Sequence, residues 1–224
     1  MVTEQVDRRA DATRLQILLA ASREFARKSY SQVSLDDILA RAEVTKGAMY
    51  FHFRSKHELA LAIIDRLNAT AYEWMSEVQN RRLSGLETLV DMFCVIVTKD
   101  IGDDVARAGL NLLESIGRAD GIQARVLGEW TKTFAEVVRR AVTEGDVLAD
   151  RDPEGVGRLL VAMFTGLRQT TDIDDPQRYF SDLRETWALI LPGFADPERV
   201  GYLNQFVGRR TGLAAAKATP LHPR

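Results

Sequence analysis

Apolar side chains recur along most of the chain at intervals of three and four residues, which is the spacing of one face of an α-helix. In the first segment this repeat runs from Leu15 to Phe25, and it predicts a helix over residues 9–28. The same spacing predicts nine further helices, at about 35–42, 45–51, 55–80, 84–99, 103–118, 124–145, 153–172, 178–191 and 196–207. No segment alternates between apolar and polar residues as a half-buried strand would. The sequence therefore predicts an all-α fold.

Two of the helix starts carry capping residues. Ser34 stands directly before a helix whose first turn holds Asp36 and Asp37, and these carboxylates favour the positive end of the helix dipole. Ser55 is followed three residues later by Glu58, which is the pattern of a capping box. These signals mark where the second and fourth helices begin, and they leave one short helix between them.

Composition narrows the class of protein. The 224 residues are 46% hydrophobic and 28% charged, which is ordinary for a globular protein. Cys94 is the only cysteine, so no intramolecular disulfide can form. No apolar run reaches the roughly 20 residues that a membrane-spanning helix needs, and the N-terminal segment is too polar for a secretory signal. We therefore expect a cytoplasmic protein with no membrane partner.

Charge is distributed unevenly along the chain. The formal net charge is −2, but residues 1–56 carry +3 and the remainder carries −5. The first quarter of the chain is thus the better place for a polyanionic partner such as nucleic acid. A solvated helix face would show a similar excess, so charge alone leaves both interpretations open.

Residues 34–56 carry the pattern with the most functional content. A short helix, a turn of three or four residues and a second short helix are the parts of a helix-turn-helix. Small residues at Gly47 and Ala48 would let the second helix approach base edges, and the side chains around them can donate hydrogen bonds to bases and phosphates. The residues that we expect to contact DNA are Ser34, Thr45, Lys46, Gly47, Ala48, Tyr50, His52 and Lys56.

Several of these aromatic and basic residues have other possible roles. Phe51 and Phe53 are expected to form the core of the small helical domain, and Tyr50 could join them. His52 taken alone is more often a solvated side chain than a DNA contact. Lys56 stands in the first turn of the long fourth helix, where it can meet a phosphate beside the amides of that helix.

Motifs of enzymes are missing from the sequence. The three histidines are His52, His57 and His222, and the first two are five residues apart, so they do not share a helix face as zinc ligands at i and i+4 do. There is no nucleophile elbow, P-loop or dinucleotide-binding motif. We therefore expect no catalytic residue, no metal site and no cofactor. A ligand-blind architectural DNA-binding protein would need a stronger basic face than +3.

One pattern runs through the first 59 residues and includes the helix-turn-helix. Its positions are Phe25, Ala26, Tyr30, Ser34, Leu35, Ile38, Ala42, Val44, Thr45, Lys46, Gly47, Tyr50, Phe53, Lys56 and Leu59. This pattern resembles the TetR family of transcriptional regulators. The family usually has glycine where this chain has Ser29 and Glu43, and a left-handed backbone there would cost roughly 1–2 kcal/mol without glycine. The resemblance implies a homodimeric repressor on a near-palindromic operator, with the two reading helices about 34–36 Å apart.

A narrower resemblance extends further along the chain. Residues 44–60 (VTKGAMYFHFRSKHELA), residues 105–110 (VARAGL) and Trp130 are similar to the γ-butyrolactone autoregulator receptors. In that TetR subgroup a tryptophan at this place covers the ligand. The resemblance implies release from DNA by a small diffusible lactone or furan-type hormone, and control of antibiotic-synthesis or signalling genes. A drug, a lipid or an antibiotic as the effector stays open, because the sequence separates these ligands poorly.

The domain organisation follows from these assignments. A flexible N-terminus at 1–8 and a DNA-binding domain at 9–56 precede a ligand-binding and dimerisation domain at 57–208, and a disordered tail is expected at 209–224. The residues expected around the ligand are Trp130, Phe134, Leu67, Ala71, Trp74, Cys94, Leu110, Leu113, Met163 and Leu167. The residues expected in the dimer interface are Leu160, Phe164, Leu183 and Trp187, with packing inside one chain as the alternative.

Overall fold

The computed structural model describes residues 2–119 and 121–221, of which residues 2–8 only as backbone, and it confirms the all-α prediction. The helices are α1 (Val2–Phe25), α2 (Leu35–Ala42), α3 (Lys46–His52), α4 (Lys56–Gln79), α5 (Gly85–Gly102), α6 (Asp104–Ser115), α7 (Ile122–Thr143), α8 (Pro153–Thr170), α9 (Pro176–Ile190) and α10 (Pro197–Lys217). A short 3-10 turn, Leu191–Gly193, follows α9. Three starts, at Pro153, Pro176 and Pro197, place proline in the first turn, where its missing N–H costs no hydrogen bond.

The N-terminal helix begins earlier than the sequence pattern predicts. Residues 2–8 form the first turns of α1, so the prediction of a flexible segment at 1–8 is wrong for residues 2–8, and Met1 lies outside the described residues. This segment has few apolar side chains and therefore shows no helical period. It also has no glycine or proline, so nothing in it ends a helix that is nucleated downstream. At the other end, α1 stops at Phe25, three residues before the predicted end.

The C-terminal helix extends well into the predicted tail. α10 continues to Lys217, so the prediction of disorder from residue 209 is wrong for residues 209–217. Thr211 and Ala215 are buried, and small side chains of this kind did not register as an apolar period. Beyond the helix, the N–H of Leu221 donates to a backbone carbonyl of α5 at 3.2 Å. The last three residues of the predicted tail, 222–224, lie outside the described residues.

The chain divides into two compact units whose boundaries differ from the predicted ones. The first unit contains α1–α3, α4 as far as Thr70, and Asp103–Gln123 with α6. The second contains Ala71–Gly102 and the chain from Ala124 onward. The predicted boundary after residue 56 is therefore wrong, since it placed residues 57–70 of α4 and all of α6 in the second domain.

Side-chain contacts explain why α6 belongs to the first unit. Asn111 donates from Nδ2 to the carbonyl of Phe25 at 3.0 Å, at the C-terminal end of α1. Gly109 lies so close to α4 that a Cβ on it would come within 2.6 Å of the Leu67 Cβ. Glycine therefore allows α6 and α4 to approach closely, and this contact between distant parts of the chain has no signature in local periodicity.

Candidate functional site

The helix-turn-helix predicted from the sequence is formed by α2, a short turn and α3. The side chain of Ser34 caps α2 by accepting a hydrogen bond from the N–H of Asp37 at 3.0 Å. The side chain of Thr45 caps α3 by accepting one from the N–H of Ala48 at 3.2 Å. Glu43 ends α2 in the left-handed conformation, with φ of 52°. Ser34 and Thr45 are exposed caps, so each shapes a helix start as well as facing solvent.

Charged side chains fix the position of α2 on α1. Arg41 Nε lies 2.5 Å from one carboxylate oxygen of Glu24, and Lys28 Nζ lies 3.0 Å from the other. Burial acts to raise the pKa of Glu24, but the hydrogen bonds and charges of Lys28 and Arg41 outweigh it and hold that pKa below its ordinary value. Gln16 adds a hydrogen bond from Nε2 to the carbonyl of Ala42 at 2.6 Å. These contacts hold α2, and with it the turn that leads into α3.

One side of α3 packs inward and the other is bare. Met49 is buried within the helix and Phe53 directly after it, with the guanidinium carbon of Arg14 4.8 Å from the centre of the Phe53 ring. Phe51, by contrast, is 79% exposed. The prediction that Phe51 belongs to the core is therefore wrong, whereas the prediction for Phe53 is confirmed. Phe51 follows Met49 by two positions, which is about 200° around the helix and so on the opposite side.

The remaining predicted DNA contacts of α3 lie on or beside this bare side. Lys46, Gly47 and Tyr50 are exposed, and Ala48 and His52 are half-buried. Their side chains form a surface of one cation, one hydroxyl and one imidazole around small residues. Contact of these residues with DNA stays a prediction, and the exposed surface is compatible with it.

Lys56 has a structural role that the sequence pattern did not indicate. Its Nζ donates to the backbone carbonyls of Tyr30 at 2.9 Å and Val33 at 3.0 Å, and it lies 4.4 Å from the centre of the Tyr30 ring. Two of the three N–H donors of the ammonium group are thereby used. Lys56 thus holds the loop between α1 and α2 against the start of α4, and its contact with a phosphate stays a prediction.

In the second unit, aromatic residues from four helices form a cluster around Phe93. The centre of the Phe93 ring lies 5.3 Å from that of Phe134 and 5.5 Å from that of Trp187. Phe164 lies 6.4 Å from Phe93, and Trp130 lies 6.3 Å from Phe164. The structure therefore places Trp130 and Phe134, two of the predicted ligand contacts, in one continuous aromatic cluster. Trp130 is only 3% exposed.

The aromatic cluster contains a polar group that lacks a partner. The Nε1–H of Trp187 is buried and has no hydrogen-bond acceptor within the part of the chain that the structure describes. Leaving such a donor unpaired costs about 1–3 kcal/mol. The Trp187 indole therefore carries an unused hydrogen-bond donor inside the aromatic cluster.

The other predicted ligand residues are not all gathered at this cluster. Met163 is buried and Leu167 half-buried on α8, the helix that carries Phe164, and Ala71 is buried on α4. Trp74 instead lies beside Lys99, whose Nζ is 5.1 Å from the indole centre.

Four predicted ligand residues lie elsewhere in the structure. Cys94 lines a groove of about 290 Å³ between α5 and α10. Leu67, Leu110 and Leu113 belong to the first unit and are buried there. An apolar helix face indicates that a residue is buried but not which residues it contacts. The sequence therefore could not separate the residues of the aromatic cluster from those that are buried elsewhere.

The prediction that four residues of α8 and α9 form the dimer interface is wrong, because the side chains are not exposed. Leu160, Phe164, Leu183 and Trp187 are all at least 97% buried inside the single chain. The inward and outward faces of α8 and α9 both contain apolar residues, and the sequence pattern selected the inward ones. The large apolar side chains that these helices leave exposed are Leu159, at 43%, and Leu189, at 81%.

Metal and membrane features are absent from the residues described. Within 2–119 and 121–221, no three His, Cys, Asp or Glu side chains are grouped as they would be around a metal ion. Over the same residues, no helix has both the length and the hydropathy needed to cross a membrane.

Known proteins resemble this chain both in the helix-turn-helix unit and over most of its length. The model for bacterial regulatory proteins of the tetR family matches residues 17–63. The A-factor receptor protein of Streptomyces griseus is 32% identical over 200 residues, which covers 87% of this chain and 68% of the relative. The crystal structure of a γ-butyrolactone receptor (ArpA-like protein) superposes with a TM-score of 0.74 at 28% identity, over 92% of this chain and 98% of that one. CprB of Streptomyces coelicolor, solved in complex with its operator sequence, superposes with a TM-score of 0.76 at 30% identity, over 92% of this chain and 99% of that one.

A helix-turn-helix unit followed by a helical bundle defines a class of regulators that bind DNA. The chain belongs to the tetR family of bacterial regulatory proteins. It is a ligand-responsive, DNA-binding transcriptional repressor, and it binds operator DNA as a dimer. Since its relatives are transcriptional regulators and not enzymes, the predictions of family, fold class and lack of enzymatic activity are confirmed.

Proposed function

We propose that the chain is a cytoplasmic receptor for a small diffusible molecule of the γ-butyrolactone type, which releases it from a near-palindromic operator that controls antibiotic-synthesis or signalling genes. The observation that carries this proposal is Trp130, buried in an aromatic cluster of the second unit. The relatives described as A-factor and γ-butyrolactone receptors match this chain over most of its length, which supports the same ligand class.

The chemistry of the cluster suits a compact, mainly apolar ligand with a carbonyl group. The rings of Trp130, Phe93 and Phe164 would contact the carbon skeleton, as apolar linings do in most small-molecule sites. The unpaired Nε1–H of Trp187 would donate to the lactone or acyl oxygen. Binding would thereby relieve the cost of a buried, unsatisfied donor, and an apolar molecule without an acceptor would not.

The DNA-binding surface in this proposal is the bare side of α3. Lys46, Tyr50 and His52 would donate to phosphates and bases, while Gly47 and Ala48 would let the helix approach base edges. Ser34 and Thr45 would contribute their hydroxyls beside the helix starts that they cap.

A dimer contact is proposed on the exposed side of α8. Leu159, Ala162 and Gly166 are exposed at spacings of three and four residues, so they form one stripe on that helix. Leu189 on α9 is a second exposed apolar residue. Burying these side chains against a second copy would remove apolar surface that water now covers.

The coupling between ligand and DNA is proposed to run through α4. This helix is continuous from Lys56 to Gln79, and the boundary between the units falls within it, after Thr70. In this proposal α4 has two positions, one in the DNA-binding state and one in the released state. A ligand that favours one position of the second half of α4 would shift the equilibrium between these two states. Ligand affinity must differ by several kcal/mol between the two states for near-complete release.

The test is a fluorescence anisotropy titration of the purified chain against DNA from upstream of its own gene, at fixed salt, with and without a panel of synthetic 2-acyl-γ-butyrolactones. We expect sequence-selective binding that a lactone abolishes. Trp130→Phe should need a higher lactone concentration for release, whereas Trp74→Phe, the matched control, should behave as the wild type. Selective binding that no lactone changes would leave a tetR-type repressor and reject the lactone as its signal.

A further inference from the structure

Among the side chains that the structure describes in the first unit, the most exposed large apolar one lies on the helix proposed to enter DNA. Phe51 is 79% exposed, whereas the other large apolar side chains described there as exposed, Leu15, Leu19 and Tyr50, are between 40% and 46% exposed. A phenylalanine in this state gains little from burial in its own chain. Its contribution must come from a partner that covers it, because burying an aromatic ring is among the larger favourable terms available to any side chain.

The residue one turn before Phe51 leaves space for that partner. Gly47 and Phe51 are four positions apart, so they are neighbours on the surface of α3. A Cβ added to Gly47 would meet only the Thr45 hydroxyl, at 3.9 Å, and Gly47 is not among the residues with positive φ. Neither packing nor backbone conformation therefore requires glycine, although glycine is one of the least favourable residues in a helix.

The two observations define one surface with an apolar ring beside an open position. Gly47 and Phe51 lie on the same face of α3, and a Cβ added at Gly47 would come within 4 Å only of the Thr45 hydroxyl. The His52 ring meets the Phe51 ring edge to face, with ring centres 5.0 Å apart. An apolar contact is thus presented among polar groups, namely Lys46, Tyr50 and His52.

We propose that Phe51 determines operator specificity by packing against the C5-methyl group of a thymine in the major groove. This inference rests on the proposed role of α3 as the helix that reads DNA. The thymine methyl is the apolar group by which a base pair is identified in the major groove, and the other identifying groups there are hydrogen-bond donors and acceptors. A phenylalanine therefore distinguishes thymine from the other bases without making a hydrogen bond.

The experiment removes the methyl group from the DNA and the ring from the protein, separately and together. An operator is first selected from random duplex DNA with the wild-type chain. Each thymine of one half-site is then replaced in turn by deoxyuridine, which keeps base pairing and lacks only the methyl group. Affinities for wild type, Phe51→Ala and Phe51→Leu are measured by anisotropy at fixed salt. Leu213→Ala, which truncates another exposed apolar side chain, is the control variant.

At one thymine we expect deoxyuridine to weaken wild-type binding about fourfold, which corresponds to burial of a single methyl group. The same replacement should leave Phe51→Ala unchanged and Phe51→Leu intermediate, and Leu213→Ala should respond like the wild type. Because Phe51 is exposed, these variants should melt at the wild-type temperature. At that position 5-methylcytosine should also bind better than cytosine.

Two results would reject the inference while leaving the proposed function intact. One is selective binding with no thymine at which deoxyuridine matters. The other is a deoxyuridine effect of equal size in wild type and Phe51→Ala. If the wild-type chain selects no sequence at all, the proposed DNA-reading role of α3 fails, and the inference fails with it.

Discussion

Arg168 on α8 donates from Nε and Nη2 to the two carboxylate oxygens of Asp100 on α5, at 2.9 and 3.3 Å, and both side chains are buried. Two opposite charges thus face each other in the interior of the second unit, which also contains the aromatic cluster. A bidentate geometry satisfies both carboxylate oxygens, so the pair can remain charged away from water.

Replacing one partner of this buried pair should be strongly destabilising. Arg168→Leu leaves the Asp100 carboxylate buried without its cation, and we expect the free energy of unfolding to fall by about 3–5 kcal/mol. Urea denaturation followed by circular dichroism measures the loss. The control is Arg139→Leu, which breaks the exposed pair between Arg139 and Glu154 and should cost less than about 1 kcal/mol. The double variant Asp100→Leu/Arg168→Leu should recover much of the loss, and no recovery would contradict this explanation.

The folded chain should be more stable with glycine in place of Glu43. Glu43 is the only non-glycine residue with positive φ in the part of the chain that the structure describes, and a left-handed backbone costs a residue with a Cβ roughly 1–2 kcal/mol. We expect Glu43→Gly to raise the free energy of unfolding by about 1 kcal/mol, since the greater freedom of glycine in the unfolded chain offsets part of the gain.

Ser29 provides the matched control, because it is the other position where the family usually has glycine. Ser29 does not have positive φ, and its hydroxyl is hydrogen-bonded to Gln32 at 2.9 Å. Ser29→Gly should therefore give no stabilisation. Equal gains at Ser29 and Glu43 in thermal unfolding would mean that backbone strain is not the cause.

Features that depend on neighbouring residues could be predicted from the sequence, and features that depend on distant contacts could not. The capped helix starts, the helix-turn-helix and the family follow from local chemistry, because a cap or a tight turn involves residues only a few positions apart. The placement of α6 depends on Asn111 meeting the end of α1, far away along the chain. For α3, the sequence predicted the helix but not that Phe51 faces outward, since a two-turn helix has too few positions for a reliable period.

Lys46 and Lys56 should respond differently to neutralisation. If Lys46 contacts a phosphate, Lys46→Gln removes about one counterion from the salt dependence, so the slope of log K against log salt should fall by roughly 0.9. Lys56→Gln removes a cation that holds two backbone carbonyls, and it should lower the free energy of unfolding by about 1–3 kcal/mol.

Titrations at several salt concentrations and urea denaturation separate the two effects. We expect the slope change for Lys46→Gln without a change in stability, and a loss of stability for Lys56→Gln. An unchanged slope for Lys46→Gln would remove that residue from the DNA-binding surface.

The buried thiol of Cys94 should cause the free energy of unfolding to fall at alkaline pH. Burial, with a smaller influence from the Asp91 carboxylate, raises the pKa of the Cys94 thiol from 9.0 to about 12. The folded chain therefore keeps the proton over a range in which the unfolded chain loses it. This contribution is fully present below pH 9 and is lost as the pH rises toward 12. At pH 10.5 the loss should be about 2 kcal/mol.

The measurement compares urea unfolding of wild type and Cys94→Ala at pH 8 and pH 10.5. The wild type should lose about 2 kcal/mol more than the variant between these two values. Comparing the two proteins cancels the titration of lysines and tyrosines. Parallel losses in both would show that the thiol is not responsible.

The return of the chain to its first unit at Asp103–Gln123 has a consequence for how the protein is made. A ribosome that has synthesised α1–α4 has not yet produced α6, whose Asn111 and Gly109 complete the packing on α1 and α4. The packing of the first unit is therefore completed only after more than half of the polypeptide has been synthesised. The ribosome makes the helix-turn-helix before it makes the segment that packs against α1 and α4.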